Sequence, residues 1–296
     1  MMDNISIISI LLAVVVNLHE CQEIATENIT YSSDDEEFVS FGVVGGTKVK
    51  IEWIHAANGT SIPILEYPHM VALGYGDETN LKWLCGGTLI SNQFVLTAAH
   101  CIAESLNPLK TIRINSATLD NPTEAYTDIE VEKTYIHPNY NLSSQYDDIA
   151  LLKLNKIAPG YARPAQLHNT TDIPSNILTA TGWGRTDFAG PTSNDLLEVV
   201  LKTYTFSECS AFYRKNNRLA NGLDDNTQLC AGGEGEEVKD TCNGDSGGPL
   251  SYKIENTHYI AGITSFGKAC GLVNVPAVYT RVSAYVPWIE SIVQIK

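Results

Sequence analysis

Basic residues are scarce in this chain, and its first 42 residues contain none. That stretch holds eight acids (Asp3, Glu20, Glu23, Glu27, Asp34, Asp35, Glu36 and Glu37) and no Lys or Arg. Over all 296 residues, 19 Lys+Arg face 34 Asp+Glu, a formal net charge of −15. So acidic a chain lacks the basic patches that nonspecific contact with nucleic acid or anionic membrane needs, so neither is expected as a partner. No apolar run reaches the ~20 residues of a membrane-crossing helix. No two of the seven cysteines stand in C-x-x-C spacing, which removes the common zinc and dithiol redox readings. Internal repeats of short period and low-complexity tracts are also missing. No metal or cofactor is expected.

What is present begins with Ile5–Val16, ISIISILLAVVV, twelve apolar or near-apolar residues. This is too short to span a bilayer and fits the apolar region of a secretory signal peptide. Residues 1–20 are read as that signal, with cleavage between 16 and 22, and the product as secreted and extracellular. Six cysteines (Cys85, Cys101, Cys209, Cys230, Cys242, Cys270) then suit three disulfides in an oxidising compartment, with Cys21 left over. Residues 21–42 are acidic and Ser-rich, without apolar periodicity, and read as a linker or a removable pro-segment. Without the first 42 residues the charge falls to −7, from 26 acids against 19 bases.

From residue 43 onward, short β-branched and aromatic runs alternate with Gly, Pro, Asn and Asp. Met70–Tyr75, Thr88–Thr97, Thr111–Ile114, Ile149–Leu154, Thr203–Tyr204 and Tyr259–Thr264 read as strands of an all-β barrel or sandwich. Val282–Ile295 differs: Val286, Ile289, Ile292 and Val293 have helical spacing and predict a C-terminal α-helix.

Three segments carry chemistry. Thr97-Ala98-Ala99-His100-Cys101 sets a His beside a Cys. Asp147-Asp148-Ile149-Ala150-Leu151-Leu152 sets carboxylates before an apolar run. Asn243-Gly244-Asp245-Ser246-Gly247-Gly248-Pro249 surrounds a Ser with glycines. Each alone has a bland explanation as a structural His, a turn Asp or a loop Ser. Together they supply a weak nucleophile, a base to activate it and a carboxylate to orient the base. The glycines free backbone amides to converge on a developing oxyanion.

TAAHC, DIALL and GDSGGP in that order, with GWG at 182–184 and VYTRV at 278–282, resemble the chymotrypsin/trypsin family of serine endopeptidases over residues 43–296. The resemblance implies two six-stranded antiparallel β-barrels with the active site between them. It implies His100 as general base, Asp148 as its orienting carboxylate, Ser246 as nucleophile and the Gly244 and Ser246 amides as oxyanion hole. Asp147 is then a solvated neighbour. The specificity pocket falls to Asp240, Thr241, Ser265, Gly267 and Ala277, with Ser265 also supporting Asp148 and Asp240 as the charged base that selects Arg or Lys. The resemblance pairs Cys85–Cys101, Cys209–Cys230 and Cys242–Cys270. It also makes Val43-Val44-Gly45-Gly46 a new N-terminus whose amine pairs with Asp245 after cleavage, so that residues 21–42 become a pro-segment. Gln166 stands where tethered relatives have a cysteine, so no tether to Cys21 is expected.

The departures from the family pattern are as informative. Gly42, rather than Arg or Lys, precedes the cut, so the activating protease is not trypsin-like or trims after an upstream cut. Ala277 replaces the usual Gly and narrows the pocket, favouring Arg over Lys. Phe266 replaces the usual Trp. The stretch between Lys50 and Glu66, residues 51–65, is longer than the family's usual link. The loop Asn115–Tyr126 lacks the carboxylate set of calcium-binding members. TSFGKACG followed by AVYTRV resembles arthropod cascade proteases of the snake/Persephone type, whose clip domain has six cysteines; residues 21–42 offer one, so no clip is expected. Sequons at Asn28, Asn58, Asn141 and Asn169 are glycosylation candidates. Expected partners of this monomer are protein or peptide substrates, protein inhibitors and an activating protease. The alternative is a catalytically inert family member acting as a binding or regulatory module.

Overall fold

The computed structural model describes residues 66–77, 80–120, 122, 126–185, 191–233, 240–268, 272 and 274–293, and the backbone alone of 39–44, 47–52 and 60–61. The expected signal peptide, residues 21–38, Cys21, Cys270, Asn28 and Asn58 lie outside the described residues.

The chain divides into two compact units, residues 1–52 and 53–296. In the first, β1 (Val39–Val44) and β2 (Thr47–Glu52) form an antiparallel hairpin in which Gly42 faces Val49 and Val43 faces Lys48. The Gly42–Val43 bond therefore lies inside a strand.

The second unit starts with the two-residue β3 (Thr60–Ser61) and then closes a barrel. Its strands are β4 (Met70–Tyr75), β5 (Lys82–Ser91), β6 (Phe94–Thr97), β7 (Leu109–Ile114), β8 (Thr127–Ile136) and β9 (Ala150–Leu154), hydrogen-bonded in the ring order β4-β5-β6-β9-β8-β7. A short helix α1 (His100–Ala103) follows β6. Then come β10 (Gln166–Leu167), β11 (Ile177–Gly182), β12 (Leu197–Tyr204), α2 (Phe206–Phe212), β13 (Gln228–Gly232), β14 (Pro249–Ile254), β15 (Thr257–Phe266) and β16 (Ala277–Arg281). Strands β11-β12-β13-β16-β15-β14 close a second antiparallel barrel, with β10 added parallel to β15 and β3 paired to β12. The expected pair of six-stranded antiparallel barrels is what forms.

Closure removes sheet edges and leaves one face of each strand to fill the barrel. Leu73, Leu89, Leu96, Ile112, Leu151 and Leu152 are buried in the first core. Leu178, Leu201, Leu250 and Tyr279 are buried in the second. The chain ends in a 3₁₀ turn (Val282–Tyr285) and α3 (Val286–Val293). Val282, Tyr285 and Ile289 of that segment join the first barrel's core, so the last stretch of chain straps back across the barrel it left. Helix α2 begins with a reciprocal cap. The Thr205 hydroxyl accepts from the Glu208 amide, and the Glu208 carboxylate accepts from the Thr205 amide.

Two expectations need correction, and one strand was not expected. Thr88–Thr97 is not one run: β5 and β6 turn at Asn92-Gln93, and Ser91 faces Phe94. The C-terminal helix starts as a 3₁₀ turn before becoming α at Val286. Strand β8, TDIEVEKTYI, escaped notice because its exposed face carries Glu130, Glu132 and Lys133, which mask the alternation.

Replacing Leu151, fully buried in the first barrel, with Ala is expected to cost about 2–5 kcal/mol. Leu106→Ala, at a fully exposed side chain, should stay within about 0.5 kcal/mol of wild type. Urea unfolding of the two variants checks the contrast.

Candidate active site

The first barrel delivers His100 and Asp148 from neighbouring strands. Strand β6 ends at Thr97 and the chain turns into α1, whose first residue is His100. Strand β9 pairs with β6, Thr97 opposite Ala150, so Asp148, two residues earlier, arrives at the same end. His100 Nδ1 lies 2.7 Å from Asp148 Oδ2, and the His100 amide donates to Oδ1 at 2.9 Å. The second barrel adds two donors: Ser265 of β15 gives its hydroxyl to Oδ2 at 2.5 Å, and Thr280 of β16 gives its own to the Asp148 carbonyl at 2.8 Å.

Asp148 is 4 % exposed. Burial opposes its charge, but the His100 ring and the three hydrogen bonds outweigh that and hold its carboxyl below the usual range. For His100, burial also favours the neutral ring. The Asp148 charge and hydrogen bond, with a smaller contribution from Glu104, reverse this and raise the ring above its ordinary value, while Arg218 opposes them.

Asp147 is not the solvated neighbour expected. It has a left-handed backbone (φ 54°), accepts from Tyr285 Oη at 3.0 Å and lies 3.7 Å from His137 Nδ1. It ties the loop before Asp148 to the C-terminal segment.

Both barrels hold the Ser246 loop. The Gly86 amide of β5 donates to the Ser246 carbonyl at 2.8 Å, and the Gly247 amide donates to Thr264 of β15 at 2.8 Å. The Thr97 hydroxyl donates to the Gly86 carbonyl, and a Cβ on Gly247 would lie 3.1 Å from the Ala98 nitrogen. The loop is therefore pressed against the segment that carries His100. Gly244 has φ +106°, a conformation natural only to glycine, and a Cβ on it would stand 2.9 Å from the Gly184 Cα.

Beside Ser246, the Asp245 carboxylate accepts from the Gly184 amide at 2.8 Å and the Cys242 amide at 2.9 Å. A Cβ on Gly182 or Gly184 would fall about 2 Å from the Asp245 carboxylate, which gives the GWG motif a physical reason. Burial pushes Asp245 up to about 6, with those two amides only partly offsetting it. Asp240 shares this condition: burial raises it to about 7, and its Oδ1 is buried with no hydrogen-bond partner. Around it, Thr241 Oγ1 lies 2.9 Å from Tyr279 Oη, and the Asp240 charge reaches both Tyr213 and Tyr279. Ala277 is buried, and a Cβ on Gly267 would meet its methyl at 3.6 Å. A largely buried carboxylate with an unpartnered oxygen is chemically suited to a cationic guest.

Cys85–Cys101 and Cys209–Cys230 are bonded as expected. Cys242 is disulfide-bonded, and its expected partner Cys270 lies outside the described residues. The Cys85, His100 and Cys101 donors converge, but the two sulfurs are spent in a disulfide and offer no thiolate to a metal. Asn141 and Asn169 are exposed. Among the described residues, no helix is long and apolar enough to cross a membrane.

Sequence reasoning missed Thr280, Tyr213 and the ion pair of Glu104 with Arg218. Glu104, four residues beyond His100 in a helical turn, left a signal in its spacing. Arg218 left none, because its contact spans 114 residues.

The trypsin family profile matches residues 56–289. Serine protease snk of Drosophila melanogaster is 39% identical over 236 residues, 76% of this chain and 54% of that protein. The phenoloxidase-activating enzyme of Bombyx mori is 35% identical over 269 residues, 80% of this chain and 60% of that one. A venom protease of Bombus pensylvanicus is 37% identical over 233 residues, 74% of this chain and 91% of that one. The chain thus spans about half the length of snk. With its paired barrels and matching profile, the chain belongs to the trypsin family of serine proteases.

Proposed function

We propose that the chain is a secreted endopeptidase, made as a zymogen, that cuts protein substrates after Arg, and after Lys less readily, through Ser246, His100 and Asp148. The observation that carries this reading is the 2.7 Å contact of His100 Nδ1 with a buried, triply hydrogen-bonded Asp148, beside the Ser246 loop. With Nδ1 engaged, His100 presents Nε2 as base. It takes the Ser246 proton as the oxygen attacks the scissile carbonyl, then returns it to the leaving amine; Asp148 stabilises the imidazolium. The amides of Gly244 and Ser246 receive the oxyanion. Water then repeats the sequence on the acyl-enzyme.

Ser246→Ala is expected to lower kcat by about 10⁶-fold, and Asp148→Asn by about 10⁴-fold. An organophosphorus reagent should label Ser246 stoichiometrically. A chain cut at Val43 that neither hydrolyses peptides nor takes the label is the inert family member instead.

Asp240 supports the basic preference, and Ala277 supports Arg over Lys because its methyl narrows the pocket beside Gly267. On matched peptide substrates, Asp240→Ser should cost about 10²–10³-fold in kcat/KM for Arg. Ala277→Gly should shrink the Arg:Lys ratio; equal rates on the two substrates in wild type sink the argument.

Cleavage at Gly42–Val43 supports the switch as follows. In the uncut chain the Val43 nitrogen is an amide, and Asp245 is an enclosed carboxylate served by two backbone amides. The freed amine of Val43 would supply its cation. The folded-state values of Asp245 (about 6) and Asp240 (about 7) lie above the 3.8 of a free carboxyl. The stability they confer is complete below the unfolded value and is lost as pH rises through 6 to 7. Thermal unfolding of the uncut chain should therefore show a falling Tm from pH 4 to 7. Cutting at Val43 should flatten that fall, and N-terminal sequencing of the active enzyme should begin at Val43.

A further inference from the structure

The C-cap of helix α1 is a charged residue, Glu104. It lies one turn beyond His100, and its amide donates to the His100 carbonyl at 3.0 Å, closing the helix. Its Oε1 accepts from Arg218 Nη2 at 2.8 Å and from Tyr140 Oη at 3.2 Å. Arg218 comes from the second barrel, on the connection between α2 and β13, and Tyr140 from the loop that leads to Asp148. The pair thus joins the two barrels beside the catalytic histidine.

As a stability device the pair is weak: the side chains are 46 % and 38 % exposed, and such ion pairs contribute little. Nor does the guanidinium place its loop. The Arg218 carbonyl accepts from the Gln145 amide at 2.9 Å, its amide donates to Asn216 Oδ1, Gln228 Nε2 donates to the Gln145 carbonyl, and Tyr146 Oη bonds Gly222 and Asn221. These bonds hold the connection whatever side chain stands at 218. What the pair does supply is two opposite charges in the field of His100. The charges acting on that ring are Asp148, in direct contact, and more weakly Glu104 and Arg218; Tyr140 bonds Glu104, and Cys101 Sγ lies 3.8 Å from Nε2.

We propose that Glu104 and Arg218 are positioning residues for the general base, Glu104 one helical turn from His100 stabilising the imidazolium and Arg218, paired to Glu104 across the barrels, offsetting it. This rests on the reading of His100 as general base. Asp148 alone already favours the protonated ring; an unopposed Glu104 would push it further and withdraw base from the resting enzyme.

The experiment is the acid limb of kcat/KM in the enzyme cut at Val43. At a fixed pH on that limb, Arg218→Gln should be about twofold slower and Glu104→Gln about twofold faster than wild type, with both differences shrinking in ~1 M salt. The exchanged pair, Glu104→Arg with Arg218→Glu, separates electrostatics from latching. A mechanical latch would be restored with an unmoved profile, whereas the proposal expects the limb to move to lower pH, because the charge one helical turn from His100 is now positive. Coincident acid limbs in all variants, or one loss factor at every pH, overturn it. Following the His100 imidazole by NMR in Ser246→Ala gives the same test without hydrolysis: the ring should titrate higher in Arg218→Gln and lower in Glu104→Gln. Failure of the triad reading shows instead as an unlabelled Ser246 and leaves this titration to stand or fall by itself.

Discussion

The constraint on which the rest of this structure depends is the burial of the Asp148 carboxylate. A charge withdrawn from water must find donors or give up its proton. Here the donors come from both barrels: His100 from the end of β6, Ser265 from β15 and, on the adjoining carbonyl, Thr280 from β16. Neither barrel alone can satisfy the group. The seam must therefore close in one register, and that register also sets the Ser246 loop between Gly86 and Thr264. Asp147 adds a third anchor through Tyr285, which belongs to the segment that returns from the second barrel to the first barrel's core.

Two other carboxylates stand in the opposite condition. Asp245 has amides around it and Asp240 has a bare buried oxygen, and burial raises both above the ordinary range. A fold has no reason of stability to keep such groups. In the proposed enzyme each has a cation to receive, Asp245 the amine freed at Val43 and Asp240 the side chain of the substrate. Asp148, with three hydrogen bonds to its carboxylate, shows the satisfied state that Asp240 lacks.

Much of this was legible in the sequence, for reasons that differ by residue. Met70–Tyr75 reads as a strand because apolar side chains run unbroken on a chain buried on both faces. TAAHC, DIALL and GDSGGP read together because each role in the chemistry admits few residue types. Strand β8 did not read, since a strand with one wet face and alternating charges looks like a loop. Asp147 was taken for a solvated group because its hydrogen-bond donor, Tyr285, lies 138 residues away in the sequence. The Glu104–Arg218 pair was invisible for the same reason: local pattern reports local geometry, and contacts between loops of different barrels leave no period.

That division explains where such a fold can change its specificity. Gly182, Gly184 and Gly244 sit where another backbone or carboxylate arrives within a Cβ's width, so the chemistry there leaves no freedom. Ala277 and Gly267 face each other across ordinary van der Waals space, where one methyl resizes the pocket without moving a strand. Phe266 packs edge-on against Tyr213 at 5.8 Å, and Tyr213 in turn donates to the Pro276 carbonyl. The rim of the pocket is thus coupled to the same α2–β13 connection that carries Arg218 to Glu104. In the proposed enzyme that connection touches the specificity side at Phe266 and Pro276 and the His100 side at Glu104, while the Asp148 bonds come from other segments.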